Sequence, residues 1–165
     1  MDRNALVVNG LTKRYQDFTL DGVSFTVPQG SIVGLIGENG AGKSTTLHAV
    51  LGLIGRDGGT VELLGLPDTA LDEGVRNQIG VVFDGNSYPE MLTPRKLGRV
   101  MGKIYRTWDP DRYAALLQQL ALPADKRIKA LSKGMKMKLS LAAAFSHHAK
   151  LLVLDEATSG LDPVV

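Results

Sequence analysis

Cysteine is absent from this sequence, so neither disulfides nor a cysteine-based metal site holds the fold together, and a reducing compartment is permitted. Missing too are an apolar run of membrane-spanning length and, at Met1-Asp2-Arg3-Asn4, the charged and then apolar pattern of a signal peptide. A membrane role is therefore expected to come through a partner. Charge of one sign is scarce: a net +2 is too small to argue for nucleic acid from bulk electrostatics. The 19 glycines are spread along the chain, with no internal repeat or low-complexity linker. What is present, 165 residues of which 44% are hydrophobic and 22% charged, suffices for one sizeable core and reads as a single soluble globular domain.

One stretch organises the rest. An apolar run at 32–36 reads as a strand that stops at Gly37-Glu38-Asn39-Gly40-Ala41-Gly42-Lys43-Ser44-Thr45, and a helical pattern takes over at 45–51. Strand, glycine loop and helix in that order make a phosphate-binding loop, and Gly37, Gly42, Lys43 and Ser44 match G-x-x-x-x-G-K-S/T. The glycines let backbone N–H groups turn inward around phosphate oxygens, and the helix start adds partial positive charge. Lys43 is placed to bridge the β- and γ-phosphates, and the Ser44 hydroxyl to bind Mg²⁺.

Ahead of that loop, residues 5–9 and 18–27 read as antiparallel strands, the second alternating Val23, Phe25 and Val27 with Ser24 and Thr26. Between them Tyr15 precedes a turn; from the residues alone, packing is its first reading and function its second. After the loop come a turn at 56–59, a strand at 60–64 and a buried strand at 78–83 that ends at Asp84, where α/β folds place ligand contacts. Thr93-Pro94 and Asp109-Pro110 predict two helix starts, and Ser132 caps a third that runs to about His147 with Met135, Leu139, Ala142 and Ala143 inward. Arg127, Lys129, Lys133, Lys136 and Lys138 crowd this helical region, a solvated face before an anion site. The run 151–154 reads as a strand buried on both faces that delivers Asp155 and Glu156 at its end. Beside a phosphate loop, Asp155 would hold the metal and Glu156 would accept a proton from an attacking water.

With Leu131-Ser132-Lys133-Gly134-Met135 upstream of that strand and Ala157-Thr158-Ser159-Gly160-Leu161-Asp162-Pro163 after it, the chain resembles, over essentially its whole length, the ATP-binding subunit of an ATP-binding cassette (ABC) transporter. The resemblance implies an α/β P-loop NTPase fold with a RecA-like core, an antiparallel β subdomain and a helical subdomain. Residues 1–92 and 149–165 would form the core with the β subdomain, and 93–148 the helical subdomain. It implies ATP and Mg²⁺ as ligands, with Tyr15 stacking on adenine and Gly37, Glu38, Asn39, Gly40, Ala41, Gly42, Lys43, Ser44 and Thr45 around the phosphates. It implies catalysis by Glu156 with Lys43, and metal contacts from Ser44, Asp155 and Asp84. A second ATP-binding domain, like or unlike, would face this one head to tail, with Ser132, Lys133 and Gly134 reaching the partner's γ-phosphate and 159–162 linking the two sites. A transmembrane permease is the other implied partner, docking at 84–97, with no nucleic acid, and the subunit would lie on the cytoplasmic face of the membrane.

The pattern departs from the family in four places. Asp84 stands where glutamine is usual, Lys133 and Met135 where glycine and glutamine are, and Ala157 where proline is common. No histidine follows Glu156, and the strand that carries the family's switch histidine would come after Val165, so the chain is expected to be a fragment of a longer ATPase. His147 and His148 precede the carboxylate strand and are not expected to replace it. Within the family, 79–84 and 131–141 look most like bacterial exporters of the antibiotic-resistance type. The alternatives are a truncated ATP and Mg²⁺ module with little hydrolysis, a soluble cassette ATPase acting on DNA or ribosomes, and, least in keeping with 131–134, a P-loop kinase or GTPase.

Overall fold

A computed structural model describes residues 4–70, 72–83 and 88–155. The chain divides into two compact units, Met1–Arg76 and Asn77–Val165. In the first, β1 (Asn4–Arg14), β2 (Thr19–Pro28), β3 (Gly58–Leu63) and the short β4 (Leu66–Pro67) form an antiparallel sheet in the order β2-β1-β3-β4. β1 lies between two partners: Val8 pairs with Phe25 on one side and with Val61 on the other. Leu6, Val8, Leu11, Val61 and Leu63 are buried in this sheet. β1 runs further than the expected 5–9. The register shifts between Val8 and Leu11 around Gly10, whose φ is +60°, and the bulge carries the strand on through Leu11 to Arg14. Among the described residues the α-helices of this unit are α1 (Lys43–Val50) and the one-turn α2 (Glu73–Arg76).

The apolar run at 32–36 differs from the expectation. It is not a strand, no described strand pairs with it, and Ile32 and Ile36 stand in solvent. Apolar composition does not make a strand by itself; a ladder of N–H and C=O partners must be at hand, and none is among the described residues.

In the second unit, β5 (Ile79–Val82) and β6 (Leu151–Leu154) pair in parallel, Ile79 opposite Leu151 and Val82 opposite Leu154. Three helices follow their predicted starts: α3 (Pro94–Ile104), α4 (Pro110–Gln119) and α5 (Lys133–Phe145). Each N-cap side chain does the work its position promises. Thr93 accepts from the Lys96 amide, Asp109 from that of Arg112 and Ser132 from that of Met135. Leu97, Tyr113, Leu117, Ile128, Leu139 and Ala142 form the core between these helices, and α5 also packs on β5. β6 alternates instead of burying both faces: Leu151 and Val153 are inside, while Leu152 and Leu154 are exposed. In a two-stranded sheet a helix that covers one face leaves the other uncovered, which gives a period of two in place of a continuous apolar interior.

Candidate phosphate-binding site

Gly42 is the residue on which the loop turns into a helix. It is the N-cap of α1 with φ 89° and ψ 17°, left-handed backbone that costs glycine little, and no side chain caps the helix start. A Cβ at this position would lie 2.7 Å from Phe18 Cζ and 3.2 Å from Leu20 Cδ1, so the absence of a side chain is required by packing as well as by conformation. The loop is braced from both ends. The Thr46 amide and hydroxyl both donate to the Gly42 carbonyl at 2.8 Å, and the Ala41 amide donates to that of Glu38 at 3.2 Å.

Lys43 closes the loop over itself. Its ammonium donates to the carbonyl oxygens of Gly37 and Glu38, both at 2.8 Å, which holds a full positive charge above the glycines. A cation whose partners among the described residues are neutral carbonyls, next to a helix start without a side-chain cap, suits an incoming polyphosphate: anionic oxygens make stronger charge-assisted bonds to the same donors. The residues therefore fit the phosphate group expected of them.

Tyr15 belongs to the same unit. It sits on the turn from β1 to β2, where its amide donates to Phe18 O at 2.8 Å, and its ring is about half exposed. Its centroid is 6.4 Å from that of Phe18, the ring that packs on Gly42, and 5.6 Å from the Lys13 ammonium. Asp57 ties this turn down. Its carboxylate accepts from the Arg14 amide at 2.7 Å and meets the Lys13 ammonium at 3.5 Å, and these contacts, the amide first, hold its pKa below the ordinary carboxylate value. An exposed aromatic face on an anchored turn can receive a planar base.

The second unit carries the other expected residues. Asp155 is buried at the C-terminal end of β6, and its amide donates to Val82 O at 2.8 Å, which continues the β5–β6 ladder by one more bond. Ser132 caps α5, with Lys133 exposed and Gly134 half-buried in its first turn. Lys43 thus belongs to the first unit and Asp155 to the second. Asp84, Glu156 and residues 159–162 lie outside the described residues. The Ser44 hydroxyl and the Asp155 carboxylate are hard oxygen donors, the chemistry that Mg²⁺ selects beside phosphate.

The family profile described as "ABC transporter" matches residues 20–159. The chain belongs to the ABC transporter family. Among curated proteins it is 38% identical over 170 residues to the Nod factor export ATP-binding protein I of Rhizobium sp. strain N33, covering 99% of this chain and 56% of that protein. To the protein of the same name in Ralstonia nicotianae it is 40% identical over 166 residues, covering 96% of this chain and 51% of that one. It spans about half the length of these curated relatives. A solved structure titled "Structure of ATP binding subunit of ABC transporter" matches with a TM-score of 0.86 at 32% identity, covering 96% of this chain and 69% of that chain. The mixed α/β arrangement is accordingly the fold of an ABC ATP-binding subunit, as the motifs implied.

Three supports of this ABC site escaped the sequence reading. Thr46 locks Gly42 through its hydroxyl, Phe18 fills the space beside Gly42, and Asp57 anchors the Tyr15 turn from far along the chain. Phe18 carried a signal, an aromatic three residues beyond Tyr15 across a two-residue turn. Asp57 carried none, because its role depends on the antiparallel pairing of β1 with β3.

Proposed function

We propose that this chain is the ATP-binding and ATP-hydrolysing part of a subunit that powers an ABC transporter, an exporter of the bacterial kind. The observation that carries the reading is the Lys43 ammonium poised over Gly37 and Glu38 at an αL-glycine helix start that no side chain caps. Export rests on the two relatives, both named as export ATP-binding proteins.

In this reading the ammonium of Lys43 leaves its two carbonyls for the β- and γ-phosphate oxygens, and the amides of residues 38–45 take the remaining acceptors. Tyr15 stacks on the adenine. Ser44, Asp155 and Asp84 would hold Mg²⁺, which when bound neutralises charge on the triphosphate. Glu156 accepts a proton as water oxygen bonds to the γ-phosphorus, the bond from that phosphorus to the bridging oxygen breaks, and ADP departs with the electron pair. Ser132, Lys133 and Gly134 serve the γ-phosphate bound by a second ATP-binding domain, and residues 84–97 face the permease at the inner face of the membrane. In the domain division, 1–92 and 149–165 supply the core and β subdomain, and 93–148 the helical subdomain.

Backbone bonds support a route between the last two surfaces. Ile128 donates to Leu92 O at 2.8 Å and Lys129 to Glu90 O at 3.0 Å, while the Lys136 ammonium on α5 meets Glu90 Oε1 at 3.3 Å. These bonds tie residues 90–92 to the turn before α5 and to the first turn of α5. Phosphate release from ATP by the full-length protein tests the proposal. Glu156→Gln is expected to lose about a hundredfold or more in rate while still binding ATP. Equal turnover by both proteins, or none by the parent, would refute it.

A further inference from the structure

The turn that carries Tyr15 is gripped by a residue that belongs to no phosphate motif. β3 begins at Gly58, opposite Thr12, so Lys13 and Arg14, the last two residues of β1, run past the end of that strand and pair only with β2. Asp57 takes up what the ladder leaves open on the other side. Its amide donates to Thr12 O at 2.8 Å, and its carboxylate stands in for a strand carbonyl by accepting from the Arg14 amide at 2.7 Å. The backbone behind Asp57 is pinned as well: Arg56 Nε donates to Gly59 O at 3.1 Å, and the Arg56 guanidinium forks onto the Asp68 carboxylate. A carboxylate placed in this way imposes its position on the chain it holds.

Lys13 completes the arrangement. Its ammonium meets the Asp57 carboxylate at 3.5 Å and lies over the Tyr15 ring, 5.6 Å from the centroid, so a cation takes one face of that ring and a planar base has the other. The phosphate end is held by different contacts. Phe18 accepts from the Tyr15 amide through its carbonyl, and its ring packs on Gly42. We infer that Asp57 is a positioning residue for the nucleobase, holding Tyr15 with one face against Lys13 and the other open before a nucleotide arrives. This rests on the ATP-binding reading and adds to its base site a residue 42 positions beyond Tyr15. A turn ordered in advance spares the nucleotide the cost of ordering it, which for a single side chain amounts to roughly a fewfold in affinity. The carboxylate bonds to Lys13 and Arg14 and to no residue of the loop 37–45, so its effect falls on binding and not on the bond-breaking step.

The test is a double-mutant cycle in the full-length protein, with ATP affinity read by calorimetric titration in the presence of Mg²⁺ and turnover by phosphate release. Asp57→Ala is expected to weaken ATP binding about fivefold and to raise KM by a similar factor, while kcat changes by less than about twofold. In a Tyr15→Ala background the same substitution should have no further effect, because Asp57 acts through the ring. Asp57→Asn keeps an oxygen for the Arg14 amide and should recover most of the loss. Unchanged affinity in Asp57→Ala, a fall in kcat as large as the rise in KM, additive losses in the double variant, or an Asp57→Asn variant as weak as Asp57→Ala would each overturn the inference. Failure of the parent protein to bind ATP would tell against the ATP-binding reading, whereas ATP binding that Asp57→Ala leaves intact tells against the positioning role alone.

Discussion

α1 and α5 both open on a lysine after a stretch of extended or irregular chain, yet their first turns are closed in opposite ways. At α5 the Ser132 hydroxyl accepts from the Met135 amide at 3.2 Å, and behind the cap a 13-residue helix buries Leu139, Ala142 and Ala143 in the helical core. At α1 the cap is Gly42 in the left-handed region, with no side-chain cap hydrogen bond, and the 8-residue helix follows a run that no strand pairs with among the described residues. The capped start is complete without a ligand. The uncapped one has no such bond and sets the Lys43 ammonium beside it, an arrangement that suits an anion. The difference separates a helix start open to an anion from one already closed by its own side chain.

The hardest way to break this comparison is to remove the charge from the uncapped end. Lys43→Ala should lose ATP turnover on the order of a hundredfold or more, read by phosphate release, because the ammonium that now spans Gly37 and Glu38 is the one cationic side chain in the loop sequence 37–45. Next in size is Gly42→Ala, which forces an L-residue to φ 89° and drives a methyl toward Phe18. Strain of about 1–3 kcal/mol should appear in urea unfolding together with weakened ATP binding, and Phe18→Ala in the same chain should recover the clash but not the dihedral cost.

At the capped end the expectation is reversed. Ser132→Ala should cost about 1 kcal/mol in urea unfolding and leave the chain's own ATP affinity unchanged. A fall in that affinity would show that the two starts are not the separate devices described.

The smallest effect concerns pH and only the second unit. His147 is buried, stacked on Tyr105 with centroids 4.1 Å apart, and its Nδ1–H donates to the Asn77 carbonyl at 3.1 Å. Burial holds its pKa below the ordinary histidine value. As pH falls through the unfolded value of about 6.5, the unfolded chain takes up a proton that the folded chain refuses, so stability falls with it and returns as pH rises. In His147→Phe this part of the pH dependence, followed by thermal unfolding between acid and neutral pH, should flatten.

The sequence was most legible where a rule is local. Thr93, Asp109 and Ser132 each announce a cap with an amide three residues on, and Pro94 and Pro110 mark first turns, so all three helices start where expected. The turn into α1 was equally local: Gly42 stands at the helix start in left-handed backbone, and Lys43 bonds back to Gly37 and Glu38. Strands were harder, since their identity is set by neighbours distant in the chain. The run 32–36 has strand composition without a partner, β1 outlasts its apolar start through a bulge at Gly10, and β6 buries one face where its composition suggested two. Asp57, which secures the Tyr15 turn from 43 positions beyond Arg14, had no local signal at all.

The most direct test is calorimetric titration of ATP into the full-length protein, with and without Mg²⁺, beside the Lys43→Ala variant. The account predicts saturable binding that magnesium strengthens and that the variant loses. Equal heats from parent and variant, or no binding by the parent in the presence of magnesium, would contradict it.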